Sequence, residues 1–364
     1  MLMVNSLHRA GSERNVVAIC RHIDRARYQP EVWTLTEGGA YEAIMRDAGV
    51  PIHCLHRTRA YGPMFAARAA RRIAGSGADI MHAFSPAIMF YAALSRAWLA
   101  AKQPLVFTEA TSVPRPWMRF LHRYRLRHCS AFTANSEASR ANLASQGVPV
   151  ERIRLIHNGH ELDQFRKPLD SAAIRASLGI RSEECLALFV GRLIDSKRVC
   201  DLIDAVGQVN GANRGLRVVI AGDGAKRAEL EAQTSAAGLN GIVQFVGSRG
   251  DVIDLLRSSD LFVFPSEVEG LSNAVIEAAL AGLPIVGCDV GGVRDVVENG
   301  REALLVSPRN PRDFALAMQR MLDNPTEARQ FGGAARTRAE RSFSIDNTLQ
   351  ELYGLYDTIL SAKS

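Results

Sequence analysis

Strand-like apolar runs alternate with helical stretches from one end of this chain to the other, and that rhythm restricts its architecture more than any single motif does. The strand-like runs fall at 2–6, 31–36, 80–83, 105–108, 131–134 and 153–156. They return at 186–190, 217–221, 243–246, 261–264, 285–288 and 303–306. The helical stretches between them serve as crossovers, so the strands should pair in parallel. Six strands in each half is the content of one doubly wound domain. A length of 364 residues also exceeds what one hydrophobic core usually organises. We expect an α/β protein of two domains, 1–165 and 166–344, joined near Lys167-Pro168, with a last helix at 345–364 packing back on the first. Open parallel sheets bind ligands at the carboxyl ends of their strands. Two such sheets facing each other across a cleft would suit a reaction between two substrates.

Composition narrows the field. Hydrophobic residues make up 47% of the chain and charged residues 23%, as in an ordinary globular protein. The six cysteines form no CxxC pair, which argues against structural zinc and a disulfide framework and for a reducing compartment. Met1–Leu7 lacks the cationic start and cleavage site of a secretory signal. The apolar run Ala87–Ala101 is broken by Arg96 and is shorter than the ~20 residues of a membrane span. A cytoplasmic protein is the expectation. Charge is uneven: residues 1–165 hold 21 Lys and Arg against 12 Asp and Glu, and residues 166–364 hold 23 against 26. A basic first half fits an anionic partner, or simply a solvated face.

The chemistry concentrates in the second half. In the stretch 264–282, FPSEVEGLSNAVIEAALAG, a strand ends at Phe264, a loop follows, and a helix begins near Ser272-Asn273. Free N–H groups and the positive end of the dipole at such a helix start suit a phosphate or a polar sugar. Glu269 lies in the loop, and Glu277 lies beyond the first helical turn among small apolar neighbours, where a ribose diol would satisfy it. Arg192 and Lys197 follow the strand 186–190 and a glycine turn. Arginine can hold a diphosphate bidentately, and lysine adds a point charge. Gly222-Asp223-Gly224 closes the next strand, and Gly247-Ser248 closes the one after, opening a loop positioned for a nucleobase. Gly291-Gly292 permits another close backbone approach.

These segments, with IHNGHELDQF, VGRLIDSK, VIAGDG, FVGS and DVGGVRDVVENGREALLV, resemble glycosyltransferase family 4, the retaining nucleotide-sugar transferases of the GT-B fold. The first half is similar more loosely, through NSLHRAGSERNV, DIMHAFSP and ANSEASRANL. The resemblance implies two Rossmann-like domains, the first for acceptor and the second for the nucleotide sugar. It also implies a hexosyl-type transfer to an acceptor hydroxyl, with retention and without a metal. By it Arg192 and Lys197 would bind the diphosphate, and Glu277 the ribose. Glu269, with the backbone of Gly270, Leu271 and Ser272, would lie against the transferred sugar and pyrophosphate. Gly11 would lie beneath the sugar, Gly247 and Ser248 beside the base, and His82 would face donor sugar and acceptor. A UDP-linked donor is favoured over a GDP-linked one.

The chain departs from the family at two points. Gly11 stands alone between Ala10 and Ser12 where two glycines are common, and Phe84 stands where many members have a second histidine. These keep open a non-catalytic nucleotide-sugar-binding scaffold; a nucleotide-sugar epimerase on the same fold is disfavoured by Arg192, Lys197, Glu269 and Glu277. The segment Arg115–His128, RPWMRFLHRYRLRH, holds five arginines and no acid around Trp117, Phe120 and Tyr124. Such a segment can lie on an anionic membrane, stack on nucleic acid, or dock on its own sheet. The reading adopted is a saccharide or lipid-linked saccharide acceptor, with peripheral contact at the inner face of a membrane and no nucleic acid. The product would enter a polysaccharide, lipopolysaccharide or other glycoconjugate.

Overall fold

The computed structural model describes residues 1–8, 11–57, 62–110, 127–209 and 215–362. The basic segment Arg115–His128 therefore lies outside the described residues, except for Arg127 and His128. The chain divides into two compact units, Met1–His160 with Phe343–Ser364, and Glu161–Ser342.

The first unit is built on seven parallel strands: β1 (Leu2–Val4), β2 (Val32–Thr34), β3 (Ile52–Cys54), β4 (Met81–Ala83), β5 (Leu105–Glu109), β6 (Ala131–Ala134) and β7 (Ile153–Leu155). Their order is β3-β2-β1-β4-β5-β6-β7, which reverses direction between β1 and β4. Strand β3 was not foreseen. It has three residues, Ile-His-Cys, at the edge of the sheet and only partly buried, too short and too polar to stand out as an apolar run.

Each face of this sheet has its own core. One gathers Phe65, Ala69 and Ile73 from the helix Pro63–Ala74 with Ile88, Met89 and Leu94 from the helix Pro86–Leu99. The other gathers Val16 and Ile19 from the helix Gly11–His22 with Leu349, Leu352 and Tyr356 from the final helix Ile345–Ser361. Helix starts are set locally: the Ser136 and Ser344 hydroxyls accept from Ser139 N at 3.0 Å and Asn347 N at 3.2 Å. The final helix is brought home by two backbone hydrogen bonds, His160 N to Phe343 O at 2.8 Å and Ile345 N to His160 O at 2.9 Å.

The second unit holds β8 (Cys185–Val190), β9 (Leu216–Ala221), β10 (Val243–Gly247), β11 (Leu261–Phe264), β12 (Ile285–Cys288) and β13 (Leu304–Val306). All are parallel, in the order β10-β9-β8-β11-β12-β13. The unit begins ahead of Lys167-Pro168 because Phe165, 7% exposed, packs its turn against the helix Val252–Arg257. No helix among the described residues is long and apolar enough to cross a membrane.

Candidate functional site

In the second unit the chain leaves β8 in one direction for β9 and β10, then returns past it to lay down β11. The loops after β8 and β11 consequently diverge from neighbouring strands, and the opening between them is where open α/β sheets receive ligands. Topology thus joins segments that sequence separates. Lys197, in the short helical turn Asp195–Lys197 after β8, forms an ion pair through Nζ with Glu269 Oε1 in the loop after β11. Both side chains are largely enclosed, Lys197 at 15% and Glu269 at 10% exposure. Lys197 Nζ also lies 4.9 Å from the centroid of the Phe264 ring, within cation–π range. Phe264 is fully buried and stacks on Phe189 and Phe262, with centroids at 6.0 and 5.8 Å.

The backbone holds the two loops together independently of that pair, because Glu267 N donates to Ser196 O at 3.0 Å. Glycines let further loops close in. A Cβ on Gly292 would lie 2.0 Å from Gly270 O and 2.9 Å from Glu269 Cβ, so only glycine fits against the loop that presents Glu269. A Cβ on Gly222, whose φ is +151°, would lie 1.8 Å from Gly191 O, which fixes the turn after β9 against the turn after β8.

Around this centre lie the other residues singled out from the sequence. Arg192 is exposed and makes no side-chain hydrogen bond or ion pair among the described residues, leaving its guanidinium available. Ser272 caps the helix Asn273–Leu280, its hydroxyl accepting from Val275 N at 3.4 Å. The N-terminal turn of that helix follows Gly270, Leu271 and Ser272 directly. Glu277 lies in the second turn and is 3% exposed. Gly247, at φ +69°, ends β10 and accepts from Gly222 N at 2.8 Å through its carbonyl, and Ser248 next to it is exposed. Strand β10 stands two strands from β8, roughly 10 Å away, the scale of a nucleotide reaching from diphosphate to base. Sequence reasoning passed over Ser266, fully buried in the same loop with a hydroxyl that has no hydrogen-bond partner among the described residues. One serine in a loop carries no periodicity to signal it.

In the first unit Gly11 is exposed at the start of the helix Gly11–His22. His82 corrects an expectation. It lies inside β4, paired with Leu2 and Val106, and is 1% exposed. Its Nδ1 meets the Tyr356 hydroxyl at 2.6 Å and its Nε2 meets the Thr108 hydroxyl at 2.7 Å. Phe84 stacks on the ring with centroids 4.1 Å apart. Burial pushes the imidazole down to about 3, so it stays neutral. With both nitrogens engaged inside the fold, it offers nothing to a sugar. Among the described residues one trio, Glu37, Cys54 and His56, groups potential metal ligands, at the β3 edge of the first unit rather than beside the donor loops.

Two family profiles divide the chain between them: Glycosyltransferase Family 4 matches residues 9–164, and Glycosyl transferases group 1 matches residues 170–338. The chain belongs to glycosyltransferase family 4. This glycosyltransferase is 28% identical over 272 residues to an alpha-D-kanosaminyltransferase of Streptomyces kanamyceticus, covering 73% of the chain and 69% of that protein. It is 31% identical over 219 residues to a D-inositol 3-phosphate glycosyltransferase of Rhodococcus erythropolis, covering 58% of the chain and 49% of that protein. Its matched stretch thus spans only about half of the inositol-phosphate enzyme's length. Among solved structures, Anabaena Alr3699/HepE in complex with UDP-glucose superposes with a TM-score of 0.86 at 22% identity, covering 98% of both chains. Sucrose-phosphate synthase of Thermosynechococcus elongatus gives 0.80 at 20% identity, covering 99% of this chain and 98% of that one. The fold of the glycosyltransferase is that of the GT-B enzymes.

Proposed function

We propose that this enzyme moves a hexosyl group from a UDP-sugar to an acceptor hydroxyl, with the second unit holding the donor and the first serving the acceptor. The observation that carries the reading is the meeting of Lys197 and Glu269 at the β8–β11 divergence, with Arg192, which makes no side-chain hydrogen bond or ion pair among the described residues, in the same loop as Lys197. Arg192 and Lys197 supply the positive charge that a departing diphosphate needs, and the start of the Asn273–Leu280 helix adds its dipole. On this reading the donor chemistry requires no metal. Glu277 takes the ribose, Gly247 and Ser248 flank the base, and Glu269 with Gly270, Leu271 and Ser272 takes the sugar and pyrophosphate. Gly11, at a helix start in the first unit, serves the transferred sugar and diphosphate on this reading. The acceptor oxygen attacks the anomeric carbon on the face the diphosphate leaves, and a diphosphate oxygen takes the proton, so the anomeric configuration is retained. The HepE complexes with UDP and UDP-glucose support a uridine donor.

The acceptor in this reading is a saccharide or lipid-linked saccharide bound for a polysaccharide or other glycoconjugate. The basic segment 115–128 then provides peripheral contact with an anionic membrane from the cytoplasmic side. Calorimetric titration with UDP, GDP and ADP in EDTA tests the donor side. Binding of UDP alone, weakened in Arg192→Ala and Glu277→Ala, is the expected result. Binding only after a divalent cation is added would overturn the metal-free reading, and no binding of any nucleotide would overturn the donor site.

A further inference from the structure

The proposed function sends Lys197 to the diphosphate and Glu269 to the sugar, yet the structure has them holding each other. Three features make this pairing more than an incidental surface contact. Both side chains are largely enclosed. The ammonium is fixed from beneath by the Phe264 ring, itself stacked between buried aromatics. The loops themselves are joined by Glu267 N to Ser196 O, and the fit of Gly292 against Gly270 holds the Glu269 loop to the helix after β12, so the side chains can part without the loops coming apart.

We propose that Glu269 occupies on Lys197 the position a donor diphosphate takes, and that the two anions exchange on one ammonium as donor enters and product leaves. This rests on the donor-site reading above. A diphosphate brings charge to match what Lys197 loses, so the lysine remains paired throughout. The displaced carboxylate gives up the ammonium and gains from new donors. Sugar hydroxyls provide them when the whole nucleotide sugar is bound. With UDP alone the carboxylate is left beside a dianion in a confined space, where like charges disfavour each other. Glu269 therefore favours the nucleotide sugar over the spent nucleotide. After transfer it returns to Lys197 and drives UDP out. The carboxylate acts twice, on the sugar before transfer and on the lysine after it.

Glu269→Gln keeps the shape and removes the charge, so UDP should bind it five- to twentyfold more tightly than wild type by calorimetry. Product inhibition by UDP should strengthen in parallel. Lys197→Ala should weaken UDP binding, and in that background Glu269→Gln should tighten it distinctly less than in wild type, because the competed ammonium is gone and only the like-charge repulsion is left to remove. Glu269→Ala, which leaves no amide to substitute, should tighten UDP as well. Unchanged or weaker UDP binding in Glu269→Gln, with Lys197→Ala still weakened, would overturn the exchange and leave the donor site standing. Equal tightening with and without Lys197 would also overturn it, because Glu269 would then repel the nucleotide without competing for the lysine. An unaffected Lys197→Ala would instead sink the diphosphate assignment itself.

Discussion

His82 and Lys197 are both enclosed polar side chains beside the strand where their own sheet reverses direction, and they have opposite prospects. His82 is inside β4, adjoining β1, and the fold uses up both of its nitrogens, on Tyr356 and Thr108. Lys197 is past the end of β8, in the loop facing β11, and its partner Glu269 belongs to another loop. The Thr108 hydroxyl is in turn 2.5 Å from that of Thr133, so the histidine sits in a hydrogen-bonded row from the final helix across β4 and β5 to β6. Burial alone does not mark a functional residue. What distinguishes the two is whether the partners are fixed parts of the fold or side chains that a ligand can replace.

Transfer assays on variants of each residue would break or sharpen that contrast. The largest loss is expected for Lys197→Ala and Arg192→Ala, about 10²–10³-fold in kcat/KM, typical of removing one group that stabilises charge in a transition state. His82→Asn, assayed at a temperature where it remains folded, should transfer within about threefold of wild type. Equal losses in the two would mean that the histidine reaches the chemistry and that the contrast is false. Glu277→Gln comes next. Replacing one carboxyl oxygen of this 3% exposed side chain with an amide nitrogen that cannot accept should weaken UDP about ten- to a hundredfold, on the order of 1.5–3 kcal/mol. A nucleoside-free diphosphate should lose far less, which separates ribose binding from general damage.

Gly292→Ala tests the scaffold rather than the charges. Its Cβ would lie 2.0 Å from Gly270 O, so the loop carrying Glu269 must move. We expect about tenfold lower kcat/KM with unaltered far-ultraviolet circular dichroism. Retained activity would mean that the loop position is not set by this contact.

The central strands of the second unit were legible because they are continuous apolar runs, such as LFVF in β11, buried on both faces. Strand β3 was not, since a polar three-residue edge strand is stabilised by its neighbour β2 rather than by its own pattern. Arg192, Lys197, Glu269 and Glu277 could each be named from the sequence. That Lys197 and Glu269, 72 residues apart, touch could not, because strand order decides it. His82 shows the limit in the other direction. A shift of one or two residues along β4 separates a side chain sealed within the sheet from one at its open end, and strand ends are the least certain feature of a sequence reading.

His82→Asn should change almost nothing in transfer, and its effect belongs to stability. An asparagine cannot reach both hydroxyls at the spacing the imidazole does, so at least one of Tyr356 and Thr108 is left buried without its partner, at about 1–3 kcal/mol. The wild-type histidine has a pKa of about 3 in the fold against 6.5 for an ordinary histidine. Between those values the unfolded chain binds a proton that the folded chain refuses. Its contribution is therefore complete above about pH 6.5 and declines as the pH falls toward 3, by up to about 1.4 kcal/mol per pH unit. Denaturant melts of wild type and His82→Asn at pH 7.5, 6 and 5 isolate that term. The stability gap between them should narrow as the pH falls, because only wild type has the proton to gain. A gap that stays constant would mean the folded histidine takes up its proton as readily as the unfolded chain does, and an imidazole open to protonation would return His82 to the list of groups that can serve a substrate.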